Sequence, residues 1–205
     1  MKNYNSFIFE GKIVNFEQKN GNFIILMGGP GSGKSTIVNN LLNITNVKIF
    51  NVDNEREITA TKLGLDISKP EDNEEILKYT HGSTDPRNRT LRMLKNMISS
   101  DKKELPNIVF DTVGNHIDLM RELIELAKDN NYLVTMVFVK ANLELSLDRN
   151  RQRRRRLGDD VVKKYHTLVK TAFDQLFPMY DHAWIVENDD PLDIVNRRDI
   201  AHKIK

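Results

Sequence analysis

The chain of 205 residues contains no cysteine, one tryptophan and six prolines, and aromatic residues make up only 7% of it. Without thiols there is no disulfide, no thiolate nucleophile and no Cys-ligated metal, so a bound metal is expected on oxygen ligands. No apolar run approaches the length of a membrane span. The start Met1-Lys2-Asn3-Tyr4-Asn5 leads into a short strand-like stretch and not into the apolar core of a signal peptide. A cytoplasmic protein with no membrane attachment is the expectation. Charge of one sign is also scarce overall, the formal net charge being +2. Six arginines nevertheless crowd into Arg149-Asn150-Arg151-Gln152-Arg153-Arg154-Arg155-Arg156, which leaves the remainder net negative. A protein that coats duplex nucleic acid spreads its basic residues over a face, whereas one dense cluster fits the clamping of phosphates at a single place.

What is present is more specific. Gly28-Gly29-Pro30-Gly31-Ser32-Gly33-Lys34-Ser35-Thr36 fits G-x-x-x-x-G-K-[ST] and follows the apolar run Phe23-Ile24-Ile25-Leu26-Met27. A strand delivers the loop, glycines let backbone N–H groups turn around a β-phosphate, and a helix N-terminus adds its positive dipole end. Gly29, Gly31, Ser32, Gly33, Lys34, Ser35 and Thr36 are therefore the candidate nucleotide-binding residues. Lys34 is placed to reach the β- and γ-phosphates, and the Ser35 hydroxyl to sit on Mg²⁺.

Periodicity along the chain alternates strand and helix. Strands are expected at 22–27, 47–52, 107–110, 133–139 and 183–186. Helices are expected at 34–43, 116–130, 143–155, 159–177 and 191–204, with an N-terminal hairpin over 6–19. This pattern predicts one α/β domain over 1–205: a mostly parallel five-stranded sheet with helices on both faces, ligands at the carboxyl ends of the strands, and an arginine-rich lid at 149–160. The connection 57–106 is longer than a plain crossover needs and is read as an acceptor-binding elaboration. Within it Asp85-Pro86 opens a helix carrying Arg87, Arg89 and Arg92.

Three further places bear on chemistry. Asp53 follows the second strand, with Arg56 three residues on. A carboxylate there could accept a proton from an attacking hydroxyl while the cation holds an acceptor phosphate, or Asp53 could simply cap the next helix. Asp111 ends the strand Ile108-Val109-Phe110, as a carboxylate that holds Mg²⁺ does. Asp111-Thr112-Val113-Gly114 also spells the D-x-x-G of GTPases, but Val139-Lys140-Ala141-Asn142 lacks the aspartate that would read guanine. The arginine cluster precedes Leu157-Gly158-Asp159-Asp160, a joint with a fresh helix start. On a continuous helix Arg149, Arg153 and Arg156 would share a face toward the phosphates, whereas Arg154 and Arg155 would point elsewhere. A solvated basic helix end or a nucleic-acid patch is the other reading of the same residues.

Taken together these motifs resemble the P-loop kinases grouped around phage polynucleotide 5′-kinase and the zeta toxins, over residues 22–188. The likeness rests on the loop 28–36, on Asp53 with Arg56, on D-T-x-x-N at Asp111-Thr112-Val113-Gly114-Asn115, and on R-N-x-x-R at Arg149–Arg153. The resemblance implies an ATP- and Mg²⁺-dependent phosphotransferase acting on a hydroxyl of a nucleic acid, a nucleotide or a nucleotide sugar. It implies Asp53 as general base and Arg56 as binder of the acceptor's phosphate. Arg153 would then be the lid residue on the transferring phosphoryl group. On this reading Lys34, Asp53 and Arg153 are catalytic, Arg149 joins the nucleotide site, and Arg56, Asp111, Arg89 and Arg92 face the acceptor. Ser35 and Asp111 hold the metal. A nucleotide-switched binding module with little turnover is the alternative from outside enzymology.

Overall fold

In the computed structural model the described residues are 20–40, 46–153 and 155–189. The expected hairpin at 6–19 and helix at 191–204 lie outside them. Five strands form one sheet: β1 (Asn22–Met27), β2 (Val47–Asn51), β3 (Asn107–Thr112), β4 (Leu133–Lys140) and β5 (His182–Glu187). Every pairing is parallel, and the spatial order is β2-β3-β1-β4-β5. The central position of β1 explains its apolar run Phe23–Met27, since a parallel strand covered on both faces has no reason to alternate. All six of its residues are buried.

Alternate residues of β1 serve two cores. Phe23, Ile25 and Met27 join the larger one, with Leu94 and Ile98 of α4 (Pro86–Ile98), Met120, Leu123 and Ile124 of α5 (Ile117–Asp129), and Val169, Phe173 and Leu176 of α7 (Asp159–Leu176). Ile24 and Leu26 face the smaller one, with Ile37 of α1 (Lys34–Asn40), Val109, Val137 and Val186. Helices therefore lie on both faces, and burying each large apolar side chain contributes roughly 1.5–3 kcal/mol. The chain leaves β1 toward β2 on one side and later returns past it to β4 on the other. That reversal opens a crevice at the carboxyl ends of the strands.

Several expected boundaries move. The segment 57–106, expected as an acceptor-binding elaboration, contains the rest of α2 (Val52–Leu63), then α3 (Pro70–Tyr79), and α4, whose Leu94 and Ile98 are core residues. Asp85 caps α4 as expected, accepting hydrogen bonds from the amides of Arg87 at 2.8 Å and Asn88 at 3.2 Å. The helix expected over 143–155 stops early, α6 being Leu143–Arg151.

Candidate active site

The loop after β1 is shaped by two glycines with positive φ, Gly31 at 80° and Gly33 at 90°. A Cβ on Gly31 would come within 2.2 Å of the Ser146 carbonyl oxygen, and one on Gly33 within 2.2 Å of Asn188 Nδ2. Neither position has room for a side chain, so the loop backbone itself forms the cradle. Lys34 Nζ donates to the Gly28 carbonyl at 2.7 Å across the loop. Burial lowers the Lys34 pKa, the charge of Asp111 opposes that, Arg153 adds to the lowering, and Asp53 opposes it. These four groups thus share one electrostatic environment. Ser35 is exposed and Ser32 buried, while the amides of Ser32 and Thr36 bond to the carbonyls of Gly29 and Gly33 at 3.2 and 3.1 Å.

One residue that the motifs do not single out holds this loop in place. Asn188, directly after β5 and 1% exposed, donates from Nδ2 to the Ser32 carbonyl at 2.7 Å. Its own carbonyl accepts from Arg149 Nη1 at 3.0 Å. Arg149 is thereby brought beside the nucleotide loop. The only sequence signal for Asn188 was a polar residue at the carboxyl end of the last strand. Behind the loop, α7 and the ends of β4 and β5 enclose a cavity of about 180 Å³. Phe138, Val139, Val169 and Phe173 line it, and such apolar walls do not suit a polyphosphate.

On the other side of the crevice, Asn51 and Asp111 are register partners on β2 and β3. Partners in a parallel ladder present side chains to the same face, and Asn51 Nδ2 donates to Asp111 Oδ2 at 2.6 Å. Burial raises the Asp111 pKa, while the Lys34 charge and this hydrogen bond work against the rise. The Asn51 oxygen caps α2, accepting from the amides of Asp53 at 2.7 Å and Asn54 at 3.4 Å. The cap of α2 is therefore Asn51 and not Asp53. The Asp53 carboxylate stands in the first turn with its side chain 63% exposed, and its Oδ1 meets Arg56 Nη1 at 3.5 Å. Arg89 Nε pairs with Glu55 Oε2 at 3.3 Å and ties α4 to α2, whereas Arg92 is exposed on α4.

The arginine cluster departs from expectation. Because α6 ends at Arg151, Arg149, Arg153 and Arg156 do not share a helical face. Like charges four apart, as at Arg149/Arg153 and Arg151/Arg155, destabilise a continued helix, and buried Asn150 turns the chain back. Its side chain donates to the Leu157 carbonyl at 2.8 Å and accepts from the Leu157 amide at 3.2 Å. Gln152, Arg153, Arg155 and Arg156 thus lie beyond the helix, in a loop clamped at its root, and the expectation for Arg154 falls outside the described residues. From that loop Arg155 Nη1 reaches Asp53 Oδ1 at 2.8 Å, a contact spanning 102 positions in the sequence. Arg155 thus points into the crevice and not away from it. Arg153, from the same loop, acts electrostatically on Lys34 and Asp111.

The marks of a GTPase find other uses. Gly114, the glycine of D-x-x-G, has φ 80°, and a Cβ there would come within 2.5 Å of the Met27 side chain. Lys140 is paired with Glu187 at 2.9 Å, and Asn142 caps α6 through the Leu145 amide at 2.8 Å. Glycine, lysine and asparagine are each explained by packing, pairing or capping.

The parallel sheet in this order, with the glycine loop between β1 and α1, defines a P-loop kinase-like α/β protein. The model of an AAA domain family, AAA_33, matches residues 23–176, and the chain belongs to that family. Solved structures share the fold at low identity. A protein of the PezAT chromosomal toxin–antitoxin system of Streptococcus pneumoniae aligns with TM-score 0.59 and 16% identity, over 86% of this chain and 70% of its own. A chain of the AvrRxo1-ORF1:-ORF2 complex with ATP aligns with TM-score 0.54 and 17% identity, over 78% of this chain and 51% of its own. This chain thus spans about half of that one. An inferred kinase from Chloroflexus aurantiacus J-10-fl gives TM-score 0.55 and 13% identity, over 92% of this chain and 100% of its own. Among the described residues no helix is long and apolar enough to cross a membrane.

Proposed function

We propose that the chain is an ATP- and Mg²⁺-dependent kinase that transfers the γ-phosphoryl group to a hydroxyl of a nucleic acid or nucleotide-like acceptor. The observation that carries this reading is the division of labour at the start of α2. Asn51 takes the cap, which leaves the Asp53 carboxylate in a crevice whose electrostatics it shares with Lys34 and Asp111. A switch would have no use for a carboxylate kept out of the fold in that position. Phosphoryl transfer to an alcohol needs one there.

The residues divide the reaction as follows. The loop from Gly29 to Thr36 cradles the phosphates through its backbone, with Lys34 spanning the β- and γ-groups and Arg149 flanking the loop. Arg56 holds an anionic group of the acceptor, and Arg89 and Arg92 extend that side along α4. The acceptor oxygen forms its bond to the γ-phosphorus as the bridging P–O bond breaks and ADP leaves, while its proton passes to Asp53. Arg153 stabilises charge on the transferring group, and a closed arginine loop keeps water from acting as the acceptor. Ser35 and Asp111 offer oxygen donors of the kind Mg²⁺ takes, one carboxylate with phosphates and water completing its shell. When bound, the ion neutralises charge on the phosphates. Such a reaction draws on the ATP of the cytoplasm.

A kinase of nucleotide sugars is a second reading, favoured by the fold shared with the PezAT protein together with the zeta-like motifs. Incubation with γ-labelled ATP and a panel of oligonucleotides, nucleosides and nucleotide sugars separates the readings. Label on an oligonucleotide or nucleoside is expected; label on the sugars alone selects the second reading, and no acceptor-dependent ADP release ends the kinase reading. Arg153→Ala is expected to lower kcat by about 10²–10³ for every acceptor, as the loss of a transition-state donor does. A salt-dependent change in KM alone would return the arginines to a binding patch.

A further inference from the structure

The Asn51 side chain touches both carboxylate-bearing elements of the site. Its Nδ2 lies 2.6 Å from Asp111 Oδ2 at the end of β3. Its Oδ1 lies 2.7 Å from the amide of Asp53 in the first turn of α2. The amide's orientation follows from its partners, since two backbone N–H donors require the oxygen on one side and a carboxylate acceptor requires the nitrogen on the other. Asn51 is at the same time the last residue of β2, in register with Asp111. The planar group therefore links a strand end fixed in the sheet to the start of a helix that buries little else, Ala60 being its buried residue.

From this geometry, and resting on the kinase reading above, we infer that Asn51 is a positioning residue that sets the distance and orientation between the proton acceptor Asp53 and the metal-side carboxylate Asp111. Packing on α4 and the Arg89–Glu55 pair hold the helix as a whole, and its cap sets where its first turn sits. The bond to Asp111 works in the opposite direction. Asp111 can ionise and rotate, and a short hydrogen bond from a neutral donor fixes which oxygen faces the crevice. Aspartate at 51 would keep the cap but set a second carboxylate against Asp111. Serine would keep the cap and lose the donor.

Those two substitutions separate positioning from capping. Asn51→Ser is expected to lose less melting temperature than Asn51→Ala, because serine caps as well as asparagine and only the bond to Asp111 is removed. It is expected to lower kcat by about tenfold to a hundredfold, in the range that displaced supporting groups of metal ligands produce. It should also raise the Mg²⁺ concentration for half-maximal rate, with binding of a fluorescent ATP analogue in the absence of Mg²⁺ unchanged. Asn51→Asp should lower kcat further while the protein stays folded, as checked by circular dichroism. Asn51→Ala should lose both melting temperature and rate. If Asn51→Ser matches the parent in rate and in Mg²⁺ dependence, the residue is only a cap and the inference is overturned. The kinase reading fails differently: the parent protein itself would then show no acceptor-dependent ADP release, whatever Asn51 does.

Discussion

The two sides of the crevice are built by different means. On the nucleotide side the groups are backbone, bent by Gly31 and Gly33 at positive φ and pinned from behind by buried Asn188. On the side where we propose the acceptor binds they are charged side chains, partly in solvent: Asp53 is 63% exposed, with Arg56 and Arg155 at 33% and 31%. A backbone cradle is a consecutive object, so it occupies consecutive letters. A charge constellation is assembled from α2, β3 and the arginines that follow α6, and its members are close only because the chain is folded. The first kind of site is rigid before its ligand arrives. The second holds its groups through exposed ion pairs, each worth roughly 0–1 kcal/mol, which a ligand can rearrange at little cost.

If that contrast is right, the largest effect should follow from the one side chain of the cradle that reaches the transferring group. Lys34→Ala is expected to leave less than about 10⁻³ of the transfer rate, with the loop still holding nucleotide weakly. Near-normal turnover in the labelled-ATP assay would remove the phosphate-loop reading.

On the acceptor side, Asp53→Asn should slow transfer by about 10²–10⁴ with ATP affinity unchanged. Arg155 contacts Asp53, so Arg155→Ala should cost much less in an Asp53→Asn background than in the parent. Full additivity of the two in kcat would place Arg155 on the phosphates instead.

A smaller effect tests the rigidity of the cradle. Asn188→Ala leaves the Ser32 carbonyl without its donor, a loss of about 1–3 kcal/mol for a buried group. Melting temperature and nucleotide affinity should fall together. A fall in stability with affinity intact would show that the loop needs no backing.

The smallest effect concerns pH. Burial raises the Asp111 pKa above the ordinary carboxylate value, so folding disfavours its charged form. That cost is present above the raised pKa and is relieved as pH falls through it. Asp111→Asn removes the cost, and its melting temperature should gain on the parent's as pH rises from about 4 to 7, even as transfer is lost. A constant difference across that range would mean that Asp111 is not penalised by burial.

Which parts could be read from letters follows the same division. The five strands, their order of appearance and the glycine loop came from local patterns, because a buried parallel strand must be apolar throughout and a phosphate loop must be glycine-rich at fixed spacing. Asp53 with Arg56 was visible as a spacing of three. Its alternative role as a cap could be set aside only when Asn51, two residues earlier, was seen to do that work. The arginine run was legible as charge but not as shape. Helical spacing placed Arg149, Arg153 and Arg156 together, and the two bonds of Asn150 to Leu157 ended the helix first.

By itself, then, the sequence determined a strand–loop–helix that can hold phosphate, a β-rich alternation that yields a parallel sheet, and a reserve of arginine late in the chain. Only the tertiary structure decided that Asn51 and not Asp53 caps α2, that Arg155 turns inward to Asp53, and that Asn188 closes the back of the loop. The physical reason is the range of the interactions. Backbone conformation and apolar periodicity act between near neighbours. The contacts of Asn51 with Asp111, Arg155 with Asp53, and Asn188 with Ser32 join residues 60, 102 and 156 positions apart, and only a completed sheet brings those into reach.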